Sequence, residues 1–438
     1  MRLFLVVIIP VFLVSLASQG KEEARPNVIL IMTDDQGYAD LSSYGHDKIK
    51  TPRLDALAKG GLRLTSFYTG AAVCTPSRMA LLTGAYPARL GWTRGVDGYL
   101  MPKKSGLHPE ALTIAEIFHE EGYATGISGK WHLGREPGFR PHRQGFDFTY
   151  YIPMSNNQID SLWVGDGVVE KPFDNRLLTE QFTKKAIEFV GQERGDQPYF
   201  LYLPYTAPHF PVEAHPEWKG KSAFGEYGDV IEELDFRIGE LIDFVEKQDD
   251  DRETLILFLS DNGPQKGDPG RSVPYRGMKW EALDGGQRVP CIIYSPNLIP
   301  GGRESEEMVA SIDLLPTLAE ACGIDLSQHS SGSPRIDGLS AWPLFSGESE
   351  ESARDEILLW HGKGSVRAFR QGRWKLFYEG DSNKPRKAPA LFDLASDPGE
   401  TKDVSGEHPD RVAEMERRWK ELEEDIKKNA IPLGLPRG

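Results

Sequence analysis

Asn27-Val28-Ile29-Leu30-Ile31-Met32 is apolar after its first residue and breaks at once into the polar cluster Thr33-Asp34-Asp35-Gln36-Gly37. A strand with one wet face alternates apolar and polar side chains, whereas a strand covered on both faces is apolar throughout. Residues 27–32 therefore fit the middle of a parallel sheet. The pattern recurs in Thr254-Leu255-Ile256-Leu257-Phe258-Leu259, followed by Ser260-Asp261-Asn262-Gly263. Further strands are expected at 123–128, 199–203 and 291–294, and helical spacing fills 51–59, 112–121, 178–190, 229–246 and 312–322. Strands alternating with helices predict an α/β fold with a largely parallel sheet.

After about residue 337 the character changes. Strands at 366–369 and 374–378, the segment Leu391-Phe392-Asp393-Leu394 and a highly charged helix over 410–427 predict a smaller α+β unit. The expected division is a leader over 1–20, a main domain over 21–340 and a C-terminal domain over 341–438 with an antiparallel sheet and a terminal helix.

The composition, 39% hydrophobic and 27% charged, is that of an ordinary soluble globular protein. A formal net charge of −15 argues against nucleic acid as a partner, since neutralising phosphates needs a basic surface. Arg2, the apolar run 3–16, the small residues Ser15, Ala17 and Ser18 and then Lys21-Glu22-Glu23 have the form of a signal peptide. That run is shorter than the roughly 20 residues a spanning helix needs. A secreted or periplasmic protein with no stable membrane insertion is expected. The three cysteines are an odd number for an oxidising compartment, so one is expected to serve another purpose. Cys291, in Val289-Pro290-Cys291-Ile292-Ile293, and Cys322, in an expected helix, read as buried small hydrophobes rather than a bridge.

In an open parallel sheet, ligands collect beyond the carboxyl ends of the strands. The polar clusters stand there, and with the two already quoted go Gly129-Lys130-Trp131-His132 and Ala207-Pro208-His209. Asp34, Asp35, Asp261 and Asn262 offer hard oxygen ligands that suit calcium or magnesium rather than zinc. Either pair alone is more often a turn or a cap; two pairs at two strand ends carry more weight. Cys74-Thr75-Pro76-Ser77-Arg78-Met79-Ala80-Leu81-Leu82-Thr83-Gly84 reads as a short helix with Pro76 in its first turn and Gly84 just past its end. Cys74 would stand at the helix N-terminus, where backbone N–H groups favour an anion, with Arg78 one turn further on. On periodicity alone, a plainly capped core helix is the simpler reading.

The string Cys74-Thr75-Pro76-Ser77-Arg78 with Leu81-Leu82-Thr83-Gly84 resembles the signature of type I sulfatases, arylsulfatase A-like members of the alkaline phosphatase superfamily. In those enzymes the cysteine is oxidised to Cα-formylglycine. The resemblance extends in order through residues 27–37, Gly129-Lys130-Trp131-His132-Leu133-Gly134, Ala207-Pro208-His209, Ser260-Asp261-Asn262-Gly263 and Gly277-Met278-Lys279-Trp280. It implies a large mixed, mostly parallel sheet flanked by helices, a maturation enzyme as partner, and hydrolysis of a sulfated small molecule or carbohydrate. It also implies one calcium ion held by Asp34, Asp35, residue 74, Asp261 and Asn262. Arg78, Lys130 and Lys279 would hold the sulfate, His132 would act as the base that releases it, and His209 would sit by the leaving oxygen. Lys130 and His132 are two apart in what is expected to be an extended segment, facing the same side. Ser155, in Pro153-Met154-Ser155-Asn156-Asn157-Gln158, resembles the family's substrate-pocket serine, although Asn156-Asn157 stands where relatives more often carry His-Asp. Asp284-Gly285-Gly286 replaces the more usual glutamate before the glycines, outside the expected cluster. A phosphate or phosphonate monoester hydrolase of the same superfamily and a non-catalytic anion-binding protein are the competing readings.

Overall fold

The computed structural model describes residues 24–248, 252–329, 334–364, 366–378 and 388–436, so the leader expected over 1–20 lies outside the described residues. Among those residues an eleven-stranded sheet contains β1 (Asn27–Thr33), β2 (Leu62–Tyr68), β3 (Ala124–Lys130), β4 (Phe148–Ile152), β5 (Leu162–Val164), β6 (Gly167–Glu170), β7 (Tyr199–Pro204), β8 (Thr254–Ser260), β9 (Arg288–Tyr294), β10 (Arg303–Ser305) and β11 (Val309–Ala310). Its order is β10-β2-β9-β8-β1-β7-β3-β4-β5-β6, with β11 beside β2. The centre, β8-β1-β7-β3-β4, is wholly parallel. Antiparallel pairing enters where β9 joins β8 and β2, and again through the β5–β6 hairpin, so the sheet is mixed but mostly parallel, as expected.

The continuous apolar pattern of β1 has the expected cause. Val28, Leu30 and Met32 enter one core and Ile29 and Ile31 the other, each fully buried, and β8 divides Leu255 and Leu257 from Ile256 and Phe258 in the same way. Helices α1 (Pro52–Gly60), α4 (Leu178–Val190) and α5 (Gly225–Glu246) pack on the Ile29 face. The opposite face is covered by α2 (Cys74–Thr83), α3 (Ile114–Glu120), α7 (Leu314–Ala321) and α8 (Trp342–Ser346), while α6 (Asp284–Gln287) leads straight into β9. β2 is missing from the sequence reading, although Leu62, Leu64 and Phe67 are buried and Gly61 passes so close to Ile293 that a Cβ would meet its carbonyl oxygen at 2.1 Å.

A second, four-stranded antiparallel sheet runs in sequence order: β12 (Glu356–Trp360), β13 (Val366–Gln371), β14 (Trp374–Phe377) and β15 (Ala390–Asp393). The terminal helix α9 (Pro409–Lys428) lays Met415, Trp419 and Ile426 on it, and the cluster they form also includes Tyr68, Tyr86 and Ile312 from the large-sheet side. All three cysteines are buried and free, in keeping with the expectation for Cys291 and Cys322. Among the described residues no helix is long and apolar enough to cross a membrane.

Truncating Leu257, fully buried in the central strand β8, to alanine should cost about 2–5 kcal/mol through lost burial and an unfilled cavity, read as a lower denaturant midpoint with an unchanged slope.

Candidate active site

Four neighbouring parallel strands, β8, β1, β7 and β3, end together, and the polar clusters that follow them converge. The ladder continues a step past the strands: the Asp261 N–H donates to Thr33 O at 3.1 Å and the Asp34 N–H to Ala207 O at 3.1 Å. Asp34, Asp35, Asp261 and Asn262 are thus drawn out of water, none more than 2% exposed.

Helix α2 points its N-terminus at this cluster. Val73 is extended, Cys74 is the first helical residue, and Gly84 closes the helix at φ 64°, donating to Ala80 O. Every residue of α2 is buried, and the preceding loop lies so close that a Cβ on Gly70 would meet Ala80 Cβ at 2.2 Å. Cys74 Sγ, carboxylate oxygens of Asp34 and Asp35 and a ring nitrogen of His209 lie within 4.8 Å of one another. One turn along, Arg78 donates through Nε and Nη2 to Asp261 Oδ2 at 3.0 and 2.8 Å, and its Nη2 stands 3.6 Å from Asp34. Ser77 fixes the same loop by donating to Asp261 O at 2.5 Å.

Two lysines complete the charge pattern. Lys130, at the end of β3, is buried against Asp34 and donates to Ser155 Oγ at 3.1 Å. Lys279 Nζ lies 2.7 Å from a carboxylate oxygen of Asp35. His209 has Nδ1 2.7 Å from Phe210 O and 3.5 Å from Ser155 Oγ, leaving Nε2 3.8 Å from Asp35. Ser155 is therefore in the cluster, while Asn156 turns aside and donates to Asn175 Oδ1 at 2.7 Å.

His132 reaches the site by a different route from the one expected. Its φ of 60° is left-handed, so the segment is not extended there; the chain turns, and the buried ring feels the charges of Lys130, Arg78 and Asp34. The sequence reading also gave no role to Val96 or to Trp280, quoted there only as part of the motif beside Lys279; both pack on Val73 and Cys74. The Trp280 N–H donates to Ala72 O at 2.7 Å, and its φ of 79° marks a tight turn beside Lys279. Asp284 lies outside the cluster, bound instead to Tyr68 and Lys375.

The electrostatics follow from burial competing with these pairs. Burial alone would raise Asp34, but the cations of Lys130, Arg78 and Lys279 overcome it and hold the carboxyl well below the usual range. Burial opposes the Lys279 cation, and Asp35 outweighs it, keeping the ammonium protonated. Burial pushes the Cys74 thiol up despite Lys130 and Lys279, so as a thiol it is a poor nucleophile at neutral pH. Burial, followed by Lys130 and Arg78, depresses His132 well below the ordinary histidine value, and burial lowers His209 as well. Both histidines are neutral at pH 7, able to accept a proton.

Asp34 Oδ1 and Asn262 Oδ1 are buried without a hydrogen-bond partner, and Asn262 directs its amide nitrogen to Asp35 Oδ1 at 2.7 Å. Orphaned oxygens in a dry site beside further carboxylates fit a hard divalent cation. Asp34, Asp35 and Asn262 could hold it with little movement. Asp261 has Oδ2 on Arg78 and Oδ1 accepting from the Asp35 N–H at 3.2 Å, so its part would require sharing.

The family model Sulfatase matches residues 26–324, and the model N-sulphoglucosamine sulphohydrolase, C-terminal, matches 279–428. Arylsulfatase A of Homo sapiens is 33% identical, over 94% of this chain and 89% of its own. The N-acetylgalactosamine-6-O-sulfatase of Bacteroides thetaiotaomicron is 28% identical, over 93% and 94%. Among solved structures, Ps i-CgsB in complex with k-i-k-neocarrahexaose superposes with a TM-score of 0.79 at 29% identity, covering 93% of this chain and 95% of that one.

A hard divalent cation that fits these oxygens, at about 100 times its dissociation constant, should stabilise the protein by about 2.7 kcal/mol, seen as a rise in Tm that a chelator reverses. Asp34→Asn should reduce that rise sharply while the same protein still unfolds cooperatively.

Proposed function

The chain belongs to the sulfatase family and is a sulfuric ester hydrolase, and on that premise we propose that residue 74 is converted to formylglycine and, with one calcium ion, cleaves sulfate monoesters of carbohydrates. The observation that carries the reading is Cys74 at the N-terminus of the buried helix α2, its Sγ within 4.8 Å of oxygens of Asp34 and Asp35, which are themselves paired with Arg78, Lys130 and Lys279. Two sugar-directed relatives support the substrate class: the N-acetylgalactosamine-6-O-sulfatase and the structure containing k-i-k-neocarrahexaose. The leader-like sequence at 1–20 supports export to the periplasm or exterior, where a formylglycine-generating enzyme would have acted on the chain beforehand.

Hydrated formylglycine would supply one hydroxyl to attack sulfur as the bond to the alcohol breaks, and a second whose deprotonation would re-form the aldehyde and expel sulfate, an escape that a serine or thiol nucleophile lacks. Calcium on Asp34, Asp35, Asp261 and Asn262 would supply a Lewis acid to a sulfate oxygen. The remaining work belongs to side chains. Arg78 and Lys130 are fixed by Asp261, Asp34 and Ser155, so their positive charge needs no reorganisation as negative charge moves across the transferring group. Lys279 neutralises Asp35 until substrate arrives and can then divide its hydrogen bonds between that carboxylate and sulfate. His132, neutral and with both ring nitrogens free of protein partners, accepts the proton whose loss expels sulfate. His209, with Nδ1 donating to Phe210 O, turns Nε2 to the cluster and serves the leaving oxygen by donating from that nitrogen once it has taken up a proton.

In a host able to mature sulfatases, the peptide containing residue 74 should weigh about 18 Da less than its cysteine form, as expected when a thiol becomes an aldehyde. The same preparation should turn over an aryl sulfate faster than the matching aryl phosphate, and Cys74→Ala should lose at least about a thousandfold in kcat, the scale on which a nucleophile contributes. A persistent thiol in active protein, or faster phosphate turnover, would overturn the reading.

The pH profile gives a separate check. Because His132 must be neutral to accept a proton and its pKa lies below the ordinary value of about 6.5, the acid limb of kcat should fall below pH ~6.5. His132→Ala should lower kcat and remove that limb.

A further inference from the structure

Lys279 is the one site cation among the three that sits on neither a helix nor a strand: its loop runs from Arg276 to Asp284, between the β8 end and β9. Both ends of this loop are held by a single residue more than a hundred positions away in sequence, Glu400. Arg276 Nη2 donates to Glu400 O at 2.5 Å, and the Asp284 N–H donates to Glu400 Oε2 at 2.8 Å. The Gly285 N–H then donates to Arg276 O at 2.8 Å, which closes the loop's base. At its tip, the Gly362 N–H, in the β12–β13 turn, donates to Trp280 O at 2.9 Å, and a Cβ on Gly362 would meet the indole at 2.6 Å.

Glu400 is costly to place. It is a non-glycine residue at φ 55°, 0% exposed, on a turn after β15. Its other oxygen, Oε1, lies 2.7 Å from Lys375 Nζ, and the same ammonium donates to Asp284 Oδ1 at 2.7 Å. Asp284 Oδ2 in turn accepts from Tyr68 O–H at 2.6 Å. One lysine of the four-stranded sheet thus ties the carboxylate of the loop end to the carboxylate that grips the loop, in a fully buried junction with the large sheet. Left-handed backbone at such a residue persists only where its surroundings over-determine it. Here they do so with contacts directed at the Lys279 loop.

We infer that Glu400 is a positioning residue: with Lys375 behind it, it sets the loop that carries Lys279 onto the sulfate site, so the C-terminal sheet tunes the chemistry of the large one. This rests on the reading of Lys279 as a cation that engages the transferring sulfate.

The test is a double-mutant cycle on matured protein with para-nitrophenyl sulfate, comparing Glu400→Ala in the wild-type background and in Lys279→Ala. A displaced lysine should cost about 10- to 100-fold in kcat in the first background. It should cost less than about threefold in the second, because what Glu400 positions is already gone. Glu400→Gln, which keeps an oxygen for the Asp284 N–H but loses the charge facing Lys375, should recover a large part of kcat. If Glu400→Ala does not fold, Glu400→Gln carries the cycle, and its loss of kcat should likewise vanish in Lys279→Ala. Equal losses in both backgrounds, or a change confined to Tm, would overturn the inference while leaving the sulfatase reading intact. A wild-type protein inactive on the sulfate would instead defeat the reading on which the inference rests.

Discussion

Six buried ionisable groups govern this molecule: the carboxyls of Asp34, Asp35 and Asp261 set against Arg78, Lys130 and Lys279. Each would cost several kcal/mol to remove from water alone, and three like charges at the ends of two adjacent strands would repel strongly. The cost is tolerable because every carboxylate has a cation in contact. Loss of one partner leaves an uncompensated charge with no solvent to screen it, so these positions are bound to one another by energy as well as by function. The two orphaned oxygens, on Asp34 and Asn262, are what the protein cations leave unsatisfied, and a further hard cation would fit there.

The topology follows from that requirement. Charges that must meet in a dry site have to be delivered by rigid elements, and the parallel sheet delivers them at the ends of β1, β8 and β3. The β1–β8 register pairs Thr33 with Ser260, so the Asp-Asp and Asp-Asn pairs emerge level with each other. The buried helix α2 then presents Cys74 and Arg78 from a single turn, with its own N–H groups adding positive potential where an anion would sit.

Much of this was legible in the sequence because it is local. Continuous apolar strands ending in acid pairs, and a helix that starts at Cys74 and stops at Gly84, are short-range patterns, and both are found where expected. His132 was found for the wrong geometric reason: strand periodicity was carried past the point where the chain turns, although Gly129 and Gly134, both at positive φ, flank that segment. β2 was overlooked because Leu62, Leu64 and Phe67 spread their apolar character over a half-covered strand next to an antiparallel one, which dilutes the pattern that marked β1. Val96 had no signal at all and Trp280 only its place in the motif beside Lys279, since what brings both to the site is their packing on Val73 and Cys74, distant in sequence.

Glu400 is the clearest case of what only three dimensions supply. In sequence it ends Asp397-Pro398-Gly399-Glu400, an ordinary acidic turn. In the structure it is fully buried and bonded to both ends of a loop more than a hundred residues away. Arg78 and Lys130 inherit their precision from a helix and a strand, whereas a lysine on a loop does not, and a cation misplaced by an ångström loses most of its advantage over water. A loop can match the rigidity of the sheet only by being gripped at its base and its tip. That is what the Glu400 junction and the Gly362 turn accomplish, and it gives the second sheet a reason to be joined to the first through buried charge rather than through apolar contact alone.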